Sequence, residues 1–173
     1  MASDNQNVSA VLSKLNQTGS ALVYSTYIAG GSALDVDSAG NAYVLGAATY
    51  GFPTTAGAYQ ACSHGGSSDL FAAEFGPDGK LSGASYLGGS GTEIASAIVA
   101  LGGGSIYLAG FTSSSDFPGI VGDSNLDFVA KIVINDPNHT DGPCLAYTIQ
   151  NGATFVEGPV VGGEIVYSEA GAW

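Results

Sequence analysis

The sequence predicts an all-β fold of stacked four-stranded sheets, and three observations carry the prediction. Of 173 residues, 27 are glycine and 45% are hydrophobic, while only 10% are charged. Helix-favouring Lys, Glu, Gln and Arg are scarce, so short strands joined by tight turns fit better than helices or disorder. A motif is also stated twice: NAYVLGAATYGFPTTAGAYQ at 41–60 and SIYLAGFTSSSDFPGI at 105–120 share an aromatic-apolar strand, a Gly, a Ser/Thr-rich link and Phe-Pro. Lastly, AYVLGA and IYLAGF are apolar almost throughout, as a strand is when both of its faces are covered.

The elements follow in order from that repeat. ALVYSTYIAGGS (21–32) returns as LSGASYLGGSG (81–91) and as PCLAYTIQNG (143–152). ALDVDSAGNAYVLGAAT (33–49) returns as IASAIVALGGGSIYLAGFT (94–112), and DLFAAEF (69–75) as DFVAKIV (127–133). VSAVLSKL (8–15) is a degraded copy of the last element, and the period is about 60 residues. Strands are expected at 21–28, 33–37, 42–48 and 69–75, then at 82–87, 95–100, 105–111 and 127–134. Ser38-Ala39-Gly40-Asn41 and Gly102-Gly103-Gly104-Ser105 supply the positive φ of tight hairpins. Pro77-Asp78-Gly79 reads as a turn from the outer strand of one unit to the inner strand of the next.

A four-stranded unit cannot bury both faces alone, but stacked radially each unit covers its neighbour and shields its edges. That is the β-propeller arrangement. On it, 1–20 holds the outer strand of an incomplete blade, 21–80 is a first blade and 81–142 a second. Residues 143–173 hold the inner strand of a further blade and an atypical tail.

LVYSTYIAGGS, DVDSAGNAYVLG, FPTTAGAYQ and DLFAAEFGPDGK together resemble the bacterial SBBP-type β-propeller repeat over roughly residues 8–149. The resemblance implies a secreted or cell-surface bacterial context and no common catalytic motif. The first copy departs from the second: 16 residues separate Tyr27 from Tyr43, and 21 separate Tyr86 from Tyr107. NGATFVEGPVVGGEIVYS leaves the repeat altogether. Propellers close with about four to eight blades, so this partial propeller is expected to be completed by oligomerisation. Complementary half-blades at its two ends suit a homo-oligomer of about six blades from two copies. An open sandwich-like monomer and an edge-aggregating fragment stay open as alternatives.

Charge narrows the partners. The net charge is −12, with Lys14, Lys80 and Lys131 the only cationic side chains beside two histidines. Phosphate backbones need clustered Lys or Arg, so nucleic acid is not an expected partner, and an anionic membrane surface is disfavoured too. No window of 18 apolar residues occurs, so no membrane span is expected. The start, MASDNQNVSAVLSKL, has no basic-then-apolar signal pattern, as in a trimmed chain or an excised piece. Cys62 and Cys144 either pair, if the chain is exported, or are two buried thiols.

Each candidate site has a plainer reading beside it. Asp35, Asp37 and Asn41 in DVDSAGN are similar to the start of a Ca²⁺ loop, but Ala39 and Gly46 stand where further ligands are needed. The plainer reading is a hairpin whose Asx side chains satisfy turn amides. Ser124 in GDSN, with Asp136 and His139 in DPNH, offers a nucleophile, an orienter and a base. A polar loop flanking the strand at 127–134 is the alternative. His64 in HGG could belong to an oxyanion loop, but no G-x-S-x-G elbow accompanies it. His64 and His139 are the only side chains that ordinarily titrate near neutrality. Tyr24, Tyr27, Tyr43, Tyr59, Tyr86 and Tyr107 recur at repeat positions, which suits packing between blades with the hydroxyl at the rim, or stacking on sugars.

Three function classes remain from sequence. One is a binding or scaffold module presenting loops to a glycan, peptide or surface. Another is a Ca²⁺-dependent hydrolase of the lactonase or esterase type, an expectation by analogy with other propellers. The last is a self-assembling structural unit.

Overall fold

The computed structural model describes residues 10–49, 51–119 and 122–139, and the backbone of 155–161 and 164–169. The described residues form strands and turns and contain no helix. The strands are β1 (Ala10–Leu15), β2 (Leu22–Ile28), β3 (Ala33–Val36), β4 (Ala42–Ala48), β5 (Asp69–Phe75) and β6 (Leu81–Leu87). They continue with β7 (Glu93–Gly102), β8 (Ser105–Thr112), β9 (Leu126–Val133), β10 (Phe155–Val161) and β11 (Glu164–Glu169). All pair antiparallel, in sheets of order β1-β2, β3-β4-β5-β6, β7-β8-β9 and β10-β11.

Strand positions match the sequence expectation within a residue or two, but the grouping shifts by one strand. The strand at 22–28 pairs with β1 rather than opening the sheet of β3, and 81–87 closes that sheet instead of opening the next. The Pro77-Asp78-Gly79 turn is the reason. It makes a tight hairpin within one sheet: Gly76 N–H donates to Lys80 O at 2.8 Å, and Gly79 sits at φ 82°. A hairpin that tight forces its flanking strands to pair with each other. The crossings between sheets fall at Ala29–Ser32 and Gly88–Thr92, the links from β2 to β3 and from β6 to β7.

The central sheet is covered on both faces, which explains why AYVLGAA and DLFAAEF carry so little polarity. Toward β1-β2, Ala42, Val44, Phe71, Ala73, Phe75 and Tyr86 pack with Leu12, Tyr24, Ile28 and Phe52. Toward β7-β9, Tyr43, Leu45, Leu70, Ala72 and Leu87 pack with Ile98, Ile106, Leu108, Phe117, Ile132 and Ile134. Both Phe-Pro links dock the same way. The Phe52 ring lies 4.3 Å from Phe71, and the Phe117 ring 4.4 Å from Phe128. Gly46 must be glycine, since a Cβ there would fall 2.6 Å from the Phe71 ring.

The ladders show that the sheets are copies of one unit. Tyr43 pairs with Glu74 and Gly46 with Phe71, as Tyr107 pairs with Lys131 and Gly110 with Phe128. Val11 pairs with Tyr27 and a register shift follows at Lys14/Leu15; Phe71 pairs with Tyr86 and a shift follows at Glu74/Phe75. The β1-β2 pair is thus the counterpart of β5-β6, and β7-β8-β9 the counterpart of β3-β4-β5. No ring closure follows from these sheets alone. The repeat element at 143–152 lies outside the described residues.

Candidate functional site

Two polar clusters bracket the apolar seam between the central sheet and β7-β9. One gathers at the β3-β4 hairpin. Asp37 Oδ1 accepts the N–H groups of Ala39 and Asn41, each at 2.9 Å, while Oδ2 accepts Asn41 Nδ2 at 2.8 Å and the Tyr43 hydroxyl at 3.2 Å. Partial burial works against the Asp37 carboxylate, but these donors win and hold its pKa below the usual carboxylate range. Asp35 reaches across the seam, where Oδ2 accepts Ala100 N–H at 2.8 Å; that bond chiefly lowers its pKa. Tyr43 is fully buried and its pKa is pushed up to about 12, mainly by desolvation. Glu74, raised by burial, accepts Asn135 Nδ2 at 3.1 Å.

The Asp35, Asp37 and Asn41 side chains are therefore occupied in turning and stitching the backbone. Among the described residues, no group of three or more His, Cys, Asp or Glu side chains is placed to hold a metal ion.

The second cluster was not foreseen from sequence. It centres on Asp69, which opens β5, and Glu93, which opens β7; both are fully buried. Glu93 Oε1 accepts the hydroxyls of Thr112 at 2.6 Å and Ser114 at 2.5 Å. Asp69 Oδ2 accepts His64 N–H at 2.6 Å and Gln60 Nε2 at 3.5 Å. Gln60 in turn donates to Cys62 O at 2.7 Å and accepts Gly88 N–H at 3.0 Å. Asp69 Oδ1 and Glu93 Oε2 converge beside Gly88, where an added Cβ would fall 2.5 and 2.7 Å from them. Burial raises the Asp69 pKa to about 7, and the neighbouring Glu93 adds to the rise. The available signal was an acidic residue at the head of each apolar strand, Asp69 before LFAAEF and Glu93 before IASAIV.

The other candidates do not converge. Ser124 is exposed before β9, whereas Asp136 and His139 follow it. An eight-residue strand keeps its ends about 23 Å apart at roughly 3.3 Å per residue, and Ser124 and the Asp136–His139 segment lie beyond opposite ends of β9. The Asp136 carboxylate accepts from Asn138 N–H and Nδ2, and the His139 ring stacks on Tyr59 at 6.0 Å. The His64 side chain is exposed and its charge acts on Asp116, whose pKa is lowered first by Ser90 N–H. A cleft of about 380 Å³ under β9 is lined by Tyr59, Leu87, Phe117, Phe128 and Lys131. Tyr86 places its hydroxyl inside the fold, donating to Thr49 O at 2.6 Å and accepting Phe52 N–H at 2.8 Å. Cys62 is buried and disulfide-bonded, and Cys144 lies outside the described residues.

No protein-family model matches the chain, and no curated protein matches it either. No described helix is long and apolar enough to cross a membrane.

Proposed function

We propose that the chain is a propeller-type repeat module that works by presenting surfaces rather than by catalysis. Its stack of sheets is completed by a second copy, and loops at the sheet ends are displayed to a glycan, peptide or cell surface. One observation carries the reading: among the described residues, the outer face of β7-β9 exposes a cluster of large apolar side chains, flanked on β9 by Asp127 and Lys131. Tyr107 is 44% exposed and Val129 76%, with Val99, Leu101 and Ile94 beside them. Their counterparts in the central sheet, Tyr43 and Ala72, are 0% and 2% exposed. Such a face invites a further sheet of the same kind.

The motif resemblance and the β5-β6-like register of β1-β2 favour the same arrangement. That two-stranded pair is the outer half of a unit, so it too has room for partner strands. An extracellular or cell-surface setting is proposed with it, supported by the disulfide at Cys62, since such bonds persist in oxidising compartments. The hydrolase reading has no comparable support, because Ser124 and His139 lie beyond opposite ends of β9.

Light scattering on the intact chain over a wide concentration range tests the proposal. A dimer mass that stays constant supports closure by two copies. Mass growing with concentration favours the self-assembling structural unit instead, and a monomer throughout overturns the assembly. Glycan-array binding without turnover of esters or lactones tests the presenting role.

A further inference from the structure

We propose that Asp69 and Glu93 form a proton-operated latch on the seam between the central sheet and β7-β9, closed when the pair shares one proton and released when that proton leaves. The argument rests on where the pair sits. At this corner the two sheets are joined by backbone: Ser68 bridges Thr92 in parallel, and Glu93 N–H donates to Ser68 O at 3.0 Å. Side chains stitch the same crossing. Ser67 Oγ and Thr92 Oγ1 lie 2.8 Å apart, Gly91 N–H donates to Ser114 Oγ at 2.7 Å, and Ser90 N–H to Asp116 Oδ1 at 2.8 Å. Every one of these bonds belongs to the linker at 88–93 or to what it touches.

Two buried carboxyls lie at the centre of this stitching. Their outward-facing oxygens are satisfied by Thr112, Ser114, His64 N–H and Gln60, whereas Asp69 Oδ1 has no donor. It faces Glu93 Oε2, whose one donor is Gly89 N–H at a long 3.5 Å. An acidic proton on either carboxyl supplies the missing donor and removes one of two like charges. The surroundings offer no lysine in its place, and the exposed His64 ring acts on Asp116. The elements packed here contribute Tyr86 from β6, His64 from the 60–68 loop and Asp116 from the 113–119 link, and no lysine. Ser63 and the His64 N–H hydrogen-bond the Asp69 carboxylate, but no lysine offsets the paired charges.

The sign follows from the raised pKa. The closed latch binds its proton up to about pH 7, and an opened pair releases it in the ordinary carboxyl range near 3.8. Opening therefore becomes easier as pH rises between those limits, by up to about tenfold per pH unit, and levels off above about 7.

Hydrogen exchange of the intact chain reads this locally. After correction for intrinsic exchange chemistry, protection of the Gly88 and Gly89 amides should fall steeply between about pH 4 and 7 and then level. Asp69→Asn, whose amide donates to Glu93 without titrating, should flatten that slope. Should the variant fail to fold, carboxyl ¹³C titration of the unaltered protein decides: one group of the pair titrating near 7 supports the latch. Both midpoints below about 5, or an equal slope in Asp69→Asn, overturns it.

Discussion

The central sheet and the β7-β9 sheet carry the same repeat in two environments, and the contrast shows where burial comes from. Tyr43 and Tyr107 occupy one ladder position, as do Ala72 and Val129, yet the first of each pair is buried and the second open. Facing the other way the order reverses. Leu34 pairs with Val44 as Ile98 pairs with Leu108, but Leu34 is 56% exposed and Ile98 only 8%. Ile98 has the whole central sheet beneath it; Leu34 looks toward the two-stranded sheet β1-β2, which offers it no strand. Each strand's own sequence is apolar in both settings. The neighbouring sheet decides whether that apolarity stabilises anything.

The largest test of that contrast is truncation at the doubly covered layer. Phe71 stacks on Phe52 and lies fully buried, so Phe71→Ala should destabilise the fold by about 3–5 kcal/mol in urea denaturation. Phe128→Ala, its half-buried counterpart in β9, should lose roughly half as much. Equal losses would mean that Phe128 is as fully covered in the seam as Phe71 is between the central sheet and β1-β2, and the comparison would fail.

A smaller effect comes from the Ile98 and Leu34 positions. Ile98→Ala leaves a cavity in the seam and should cost about 2–4 kcal/mol, whereas Leu34→Ala should stay under about 1 kcal/mol. The same denaturation series measures both. A large loss at Leu34 would point to a covering sheet above β3 that the described residues do not supply.

These equivalences also explain what the sequence disclosed and what it withheld. Strand positions were legible because AYVLGA, DLFAAEF and SIYLAGFT are local patterns bounded by Gly and Pro. Grouping was not. Pro77-Asp78-Gly79 reads as the step between units and Gly30-Gly31 as internal to one, and only cross-strand hydrogen bonding shows that the first closes a hairpin while the second crosses between sheets. The Asp35–Asp37–Asn41 hairpin was legible as an Asx turn because its partners lie within six residues, apart from Ala100. The Asp69–Glu93 pair was not, because 24 residues and a change of sheet separate carboxyls that meet only through stacking. Ser124 and His139 show the converse: near in sequence, they lie on either side of the strand between them.

The smallest change in folding energy should have the largest effect on mass. Val129 stands on the open face, so Val129→Lys should alter the stability of a single chain by no more than about 0.5 kcal/mol. If a second copy covers that face, the lysine removes an apolar contact and adds a second ammonium beside Lys131, which already stands over Tyr107, so the interface must bury one more charge. The variant should then run as a folded monomer in light scattering where the parent runs as a dimer. Ala72→Lys sharpens the comparison, because the same ladder position in the central sheet is already covered within the chain; there the lysine should prevent folding outright. A Val129→Lys protein that keeps the parent's dimer mass would show that the open face of β9 is not where the copies meet.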